Sequence, residues 1–182
     1  MNIKQIDKLY EWKVCQSAIE WVVDHPGVQY DELWGICDRS DWMIGLCIKL
    51  NVDVALVERT SRDIVRSLLH LVPKEESSIH RAIDVVYKYV GGSSKHKDLV
   101  DARCDVWETY AKAALDYRVI VSSIAYAATA VTYGGYDGAY AATHRCNEVA
   151  YRTCSDNRYC MGLADIVRRN IKRPEWIVNS SS

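Results

Sequence analysis

Residues 122–143 read S-S-I-A-Y-A-A-T-A-V-T-Y-G-G-Y-D-G-A-Y-A-A-T. Two segments rich in alanine and tyrosine flank three glycines that fall within five residues, 134–138. Alanine has the highest helix propensity, whereas a glycine inside a helix costs about 1 kcal/mol. The stretch therefore predicts two helices separated by a break or turn. They should pack as an antiparallel hairpin, since alanines let two helix backbones approach closely.

The predicted hairpin extends far in both directions from this turn. No glycine or proline occurs between residues 95 and 133, which predicts a single helix of roughly ten turns. The helical pattern resumes at 139 and is expected to reach about 172, with a weak point at 153–157. The hairpin therefore occupies 95–173, and residues 174–182 form a tail.

Shorter helices are predicted for residues 1–92, where glycine and proline mark their ends. Apolar residues recur with a helical period, which predicts helices at 3–24, 30–37, 41–50, 54–72 and 73–90. Asn51 is expected to close the third of these and Asp53 to cap the fourth. The fourth should be amphipathic, with apolar residues on one face and charged residues in solvent. The fold class is thus all-α, a single-domain bundle of about seven helices.

Composition limits the classes of partner and compartment. The chain has 182 residues with a formal net charge of −1, so no global field attracts nucleic acid or an anionic membrane. Its seven cysteines form no C-x-x-C pair, which is typical of reduced thiols in the cytoplasm. The first residues lack the apolar core of a signal peptide, and no apolar run approaches the roughly 20 residues that span a bilayer. A cytoplasmic protein without a membrane partner is expected.

No enzyme motif is present. The sequence contains no phosphate-binding G-x-x-x-x-G-K-[ST], no G-x-S-x-G and no H-E-x-x-H. His144 and Cys146 are two residues apart on a predicted helix, so they point to different faces and do not suggest a catalytic dyad. The five histidines lack acidic neighbours suited to metal binding. We therefore expect neither catalysis, nor a metal, nor a cofactor.

Two turns are candidate partner-binding segments. The glycine-rich turn carries Tyr136 and Asp137, which a pair of rigid helices could present to a partner. The sequence D-R-S-D-W at 38–42 supplies Asp38, Arg39 and Asp41, an acidic and aromatic segment suited to a basic partner. The alternative for the second segment is a turn between helices in which residue 40 caps the next helix and residue 42 enters the core.

Arginines and tyrosines at helical spacing are candidate ligand-binding residues. One arginine row on a single helix face and a second near the chain's end could each grip a phosphate or carboxylate: Arg59, Arg62 and Arg66, and then Arg168 and Arg169 with Lys172 and Arg173. A tyrosine stripe could stack on a nucleobase or a peptide: Tyr110, Tyr117, Tyr126, Tyr133 and Tyr140. The alternative for the first arginine row is a solvated helix face. For the second row it is a set of cations that complement a helix C-terminus, and for the tyrosines it is ordinary packing.

Several motifs together resemble a known family. They are C-x-x-A-I-E-W at 15–21, L-W-x-x-C-D-R-x-D-W-M at 33–43, H-L-V-P followed by A-I-D between 70 and 84, and A-D-I-V-R-R at 164–169. In this order they resemble the immunity protein family (Imm-type) that is associated with polymorphic toxins and common in phage and prophage genomes. The resemblance spans nearly the whole chain. It implies an all-α fold and a protective or inhibitory role, without naming catalytic residues.

This resemblance, with the lack of catalytic motifs, leads to a first hypothesis. The chain would be a non-catalytic immunity-type or phage counter-defence protein that binds a toxin or a defence protein, in the host-cell cytoplasm if a phage encodes it. A second hypothesis is a sponge that sequesters a small signalling nucleotide of host immunity, using the tyrosine stripe and an arginine row. A third is an enzyme of uncharacterised type. A homo-oligomer is compatible with each of them.

Overall fold

Ten α-helices and one 3₁₀-helix account for the regular secondary structure of residues 3–116, 118–153 and 157–175, the part of the chain that the computed structural model describes. No β-strand occurs within those ranges, so the all-α prediction is confirmed there. The helices are α1 (Ile3–Glu11), α2 (Gln16–Val23), α3 (Tyr30–Ile36), α4 (Ser40–Lys49), α5 (Val54–Ser67), α6 (Ser77–Val90), α7 (His96–Leu115), α8 (Val119–Tyr133), α9 (Gly135–Thr153) and α10 (Arg158–Asn170); the 3₁₀-helix is Leu69–Leu71.

The prediction of about seven helices is wrong because each of the three longest predicted helices is divided in two. The first, 3–24, is interrupted between α1 and α2, where Lys13 adopts a left-handed φ of 52°. The second, 95–133, ends at Leu115 and begins again at Val119. The third divides into α9 and α10, and α10 is preceded by Asn157 with φ 62°. The predicted hairpin segment therefore holds four helices.

The junction of α8 and α9 is much tighter than the predicted turn. Gly134 alone separates the two helices, and its φ of 70° is a conformation that favours glycine. A Cβ atom at Gly138 would lie 2.7 Å from the backbone oxygen of Ala130, so only glycine allows this approach of α9 to α8. Tyr136 and Asp137 consequently lie in the first turn of α9, not in an exposed loop as predicted.

Helix α9 is central and contacts α8, α5, α4 and α10. Its inner residues Ala142, Cys146 and Ala150 are fully buried. Towards α5 it is joined by a hydrogen bond of 3.0 Å between the hydroxyls of Ser61 and Thr143. Helix α10 packs on α4, α5 and α9. The arrangement leaves one concave surface between α4 and α9 and another between α5 and α10.

Helix α5 departs from its predicted amphipathic pattern at one position. Arg62 was expected in solvent but is buried, with 6% of its surface exposed. Its Nη1 lies 3.7 Å from Oε2 of Glu58, and Glu58 in turn accepts a hydrogen bond from the backbone N–H of Gly135. Arg62 thus belongs to an ion pair that holds α5 against the start of α9.

Among the described helices, none combines the length and apolar character needed to cross a bilayer.

Candidate functional site

The two segments predicted to bind a partner meet at one cleft between α4 and α9. Asp41 and Trp42 come from α4, and Asp137 and Tyr140 come from α9. Lys49 and the connection between α1 and α2 complete the lining. We call this surface the α4/α9 cleft; its volume is about 280 Å³. Its residues are brought together from positions about 100 apart in the chain.

Asp41 is the hub of the polar network beneath the cleft. Its side chain is 1% exposed and accepts two hydrogen bonds from Arg39, from Nε at 3.0 Å and from Nη2 at 2.7 Å. Nδ1 of His144 lies 2.9 Å from its Oδ2, and Nδ2 of Asn147 donates to Oδ1 at 3.2 Å. The backbone N–H of Trp42 donates to the same oxygen at 3.0 Å. These partners compensate a buried carboxylate, which is otherwise very costly. Asp41 is therefore not the exposed recognition residue that the sequence predicted.

The network also fixes the aromatic ring at the mouth of the cleft. Tyr140 stacks on His144 with their rings 12° from parallel and 6.1 Å apart, and it packs against Gly45 of α4, where an added Cβ would lie 3.4 Å away. Burial, followed by the negative charge of Asp41, raises the pKa of Tyr140. The phenol therefore stays protonated at neutral pH and can donate a hydrogen bond to a partner.

An apolar cavity adjoins the cleft. It lies among α1 to α4 and is lined by Trp21, Trp34 and Trp42, so we call it the tryptophan cavity. Val14, Trp42 and Leu46 line both the cavity and the cleft. The Arg39 guanidinium covers the Trp42 ring at 4.6 Å. The cleft thus combines a charged rim with an apolar interior, which is the usual anatomy of a binding site.

A second concave surface, the α5/α10 groove, gathers predicted arginines. It consists of two adjoining cavities of about 520 and 440 Å³ that share Ser67, Ile166 and Arg169. Arg66 lines the second cavity, and Tyr159 lines the first. The groove therefore joins one member of each arginine row, as a nucleotide site would require. The tyrosine beside them is not one from the predicted stripe.

Several predicted site residues are instead occupied by contacts within the fold. The Tyr136 hydroxyl donates to the backbone oxygen of Val52 at 2.5 Å, which ties α9 to the α4–α5 connection. Asp38 accepts a hydrogen bond from Asn157. Arg168 donates to the backbone oxygens of Trp34, at 3.1 Å, and of Cys37, and so holds α10 against the end of α3. Arg59 is exposed and lines neither the cleft nor the groove.

The predicted tyrosine stripe does not form a single groove among the described residues. Tyr110 and Tyr126 meet edge to face with ring centroids 5.6 Å apart. Tyr133 lies under the guanidinium of Arg103 at 4.0 Å, whereas Tyr140 lines the α4/α9 cleft. Tyr117 falls outside the described residues. The stripe therefore serves at least three separate places.

Sequence reasoning missed His144 and Asn147 as partners of the cleft. A signal for both was present, because they follow Tyr140 by four and seven residues and so share its helix face. Reading that face together with D-R-S-D-W would have suggested the polar network. Among the described residues, no group of three or more histidine, cysteine, aspartate or glutamate side chains is placed to hold a metal ion.

Comparisons of the chain with models of protein families, with curated proteins and with solved structures find no match.

Proposed function

We propose that this chain is a non-catalytic binding protein of the immunity or counter-defence type, which protects or inhibits by holding a protein partner at the α4/α9 cleft. The observation that carries the proposal is the meeting of the D-R-S-D-W and Y-D-G-A-Y segments at one cleft. Interface hot spots are enriched in tryptophan, tyrosine and arginine around well-packed pockets. Trp42 and Tyr140 line the cleft, and the guanidinium of Arg39 covers the Trp42 ring beside it.

The Asp41 network supports binding rather than chemistry. Arg39 and His144 both use their polar atoms on a buried carboxylate of the protein itself, so their orientation is set before a partner arrives. A surface held in this way loses little conformational freedom on association. Tyr140, which stacks on one of these side chains, is a low-entropy aromatic anchor.

The lining indicates the chemistry of the partner's contact. The exposed carboxylate of Asp137 suits a basic residue of the partner, and the tryptophan cavity beside it suits an apolar or aromatic side chain. Lys13 and Lys49 on the same rim suit acidic groups. A protein segment that alternates apolar and charged residues meets these requirements, and a toxin or a defence protein is the class that the family resemblance implies.

A crosslinking experiment tests this assignment. The photoreactive residue p-benzoylphenylalanine replaces Tyr140 in one variant and Tyr151 in another, in the protein's native host. Tyr151 lies on the same helix, is 78% exposed and does not line the cleft, so it is a matched control. We expect position 140 to give a discrete covalent adduct with a host protein, identified by mass spectrometry, and position 151 to give none.

The host protein identified in the adduct then allows a quantitative test. Tyr140→Ala should weaken its binding about 30-fold, since truncating an interface hot spot costs about 2 kcal/mol, and Tyr151→Ala should leave the affinity unchanged. The two variants should also differ in protection or inhibition in cells. Equal crosslinking from both positions, or an unchanged affinity of the Tyr140→Ala variant, would remove the cleft from the interface.

A further inference from the structure

The α5/α10 groove carries a net positive charge, since three arginines, Arg66, Arg158 and Arg169, line it with a single carboxylate, Asp63. Arg66 and Arg169 are exposed on its rim, and neither forms an ion pair with a described residue. The carboxylate that lines the same cavity, Asp63, has both oxygens engaged: Oδ1 accepts from the Tyr87 hydroxyl at 2.5 Å and Oδ2 from Asn170 at 2.7 Å. An anion between the two guanidinium groups would gain charge-assisted hydrogen bonds from both.

The neighbouring floor of the groove is apolar and unobstructed. Leu68, Leu163 and Ile166 form it and are almost fully buried. Gly162 lies on the same surface in the middle of α10, and a Cβ atom added there would meet nothing within 4 Å. Glycine disfavours a helix interior, and packing does not require one at this position. Its missing side chain instead leaves room above the floor for a flat group.

An aromatic ring borders this space. Tyr159 is half-buried and lines the cavity beside Gly162. Its ring stacks on His70, with the planes 12° from parallel and the centroids 5.9 Å apart, and its hydroxyl lies 3.2 Å from Nε2 of that histidine. Nδ1 of His70 is in turn 2.8 Å from the backbone oxygen of Ser67. The tyrosine is therefore held as a fixed edge against which a planar ligand can pack.

We infer that the α5/α10 groove is a binding site for a nucleotide, with the phosphate between Arg66 and Arg169 and the base on the apolar floor beside Tyr159. The cavities are large enough, since sites for small molecules commonly have volumes of about 300–1,000 Å³. The ligand needs both a phosphate and a base, because the arginines recognise only the phosphate and the apolar floor recognises only the ring of the base. This site is separate from the α4/α9 cleft and does not depend on a protein partner there.

Isothermal titration calorimetry on the full chain tests the site with defined probes. The four 5′-ribonucleoside monophosphates are titrated first, followed by adenosine and inorganic phosphate as the two half-ligands. We expect at least one monophosphate to bind, and adenosine and phosphate to bind at least tenfold more weakly. Arg66→Ala and Arg169→Ala should each weaken the bound monophosphate about tenfold or more, since each removes hydrogen bonds to a charged group.

Three further variants distinguish the loss of the binding site from a general loss of stability. Arg59→Ala removes an exposed arginine from the same helix outside the groove and should leave binding unchanged. Gly162→Leu fills the space above the floor and should abolish monophosphate binding. It should not lower the Tm, since leucine favours a helix more than glycine does. Tyr140→Ala, in the α4/α9 cleft, should leave monophosphate affinity unchanged, so the two sites can fail independently.

Three results would each overturn the inference. The first is the absence of binding by all four monophosphates in the millimolar range. The second is monophosphate affinity that is unchanged in the Arg66→Ala/Arg169→Ala double variant. The third is inorganic phosphate that binds as tightly as the best monophosphate, which would show that the floor and Tyr159 recognise no base.

Discussion

The α4/α9 cleft and the α5/α10 groove use arginine in opposite ways. In the cleft, Arg39 is bound through two atoms to the buried Asp41 and covers the ring of Trp42. In the groove, Arg169 forms no ion pair with any described residue, and Arg66 rests on the ring of Tyr87 at 5.0 Å. The difference is whether the fold has placed an available carboxylate within reach.

The two surfaces divide charge differently between stability and binding. A paired, buried charge stabilises the arrangement around it but has little left for a ligand, whereas an exposed, unpaired charge contributes little to stability and is free to bind. Mutations in the Asp41 network beneath the cleft should therefore act mainly through folding, and mutations of the groove's arginines mainly through ligand affinity.

The carboxylates of the cleft provide the strongest test of this division. Asp41→Ala should lower the free energy of unfolding by about 3–5 kcal/mol, because it leaves the Arg39 guanidinium without its carboxylate partner and removes one of the acceptors of the buried Asn147 amide. Asp137→Ala, an exposed carboxylate of the same cleft, should cost no more than about 1 kcal/mol. Urea denaturation of both variants measures the difference. Similar losses in the two would contradict the role of Asp41 as a buried hub.

A single helix repeats the contrast on a smaller scale. Arg62→Ala should cost about 2 kcal/mol, since it removes the buried partner of Glu58 and loosens the contact of α5 with the start of α9. Arg59→Ala, one turn earlier and exposed, should change the unfolding free energy by less than about 0.5 kcal/mol. Thermal denaturation with calorimetry compares the two. An equally small effect of the two substitutions would mean that Arg62 does not stabilise the fold.

The last effect appears only at alkaline pH and concerns Tyr87, at the edge of the groove. Burial, followed by the hydrogen bond and negative charge of Asp63, raises the pKa of Tyr87 from about 10 to about 12. The folded protein therefore holds this proton more tightly, so the contribution to stability is complete below pH 10 and is lost as the pH rises towards 12. The wild type's advantage over Tyr87→Phe should shrink in that interval. Unfolding free energies at several pH values measure it, and a constant difference would show that the fold does not raise the pKa of Tyr87.

Breaks marked by glycine or a capping residue could be predicted from the sequence, whereas breaks without such residues could not. Asp53 caps α5 as expected, since its Oδ1 accepts from the backbone N–H groups of Ala55 at 2.8 Å and Leu56 at 3.2 Å. Asn51 ends the preceding helix with φ 54°. Lys13 adopts a similar φ without any preference for it, so packing overrides propensity there. The gap after α7 likewise contains neither glycine nor proline.

The sequence pointed to some residues of the cleft but not to their roles. The sequence named Asp41, Asp137 and Tyr140, which the structure brings to one cleft. It could not show that Asp41 is buried, because the partners that make burial tolerable, His144 and Asn147, are more than 100 residues away. In the same way, Arg168 and Arg169 look equivalent in the sequence, although one holds α3 and the other faces the groove.

The tryptophan cavity gives the protein a built-in optical reporter. Trp21, Trp34 and Trp42 are three of the six tryptophans, and all of them line the cavity beside the α4/α9 cleft. No tryptophan is among the residues that line the α5/α10 groove. Indole emission depends on the polarity and packing around the ring. A partner that enters the cleft will therefore change the wavelength and intensity of the intrinsic fluorescence. A ligand in the groove leaves the surroundings of these three rings unchanged. Tryptophan fluorescence of a single sample can therefore show which of the two surfaces is occupied.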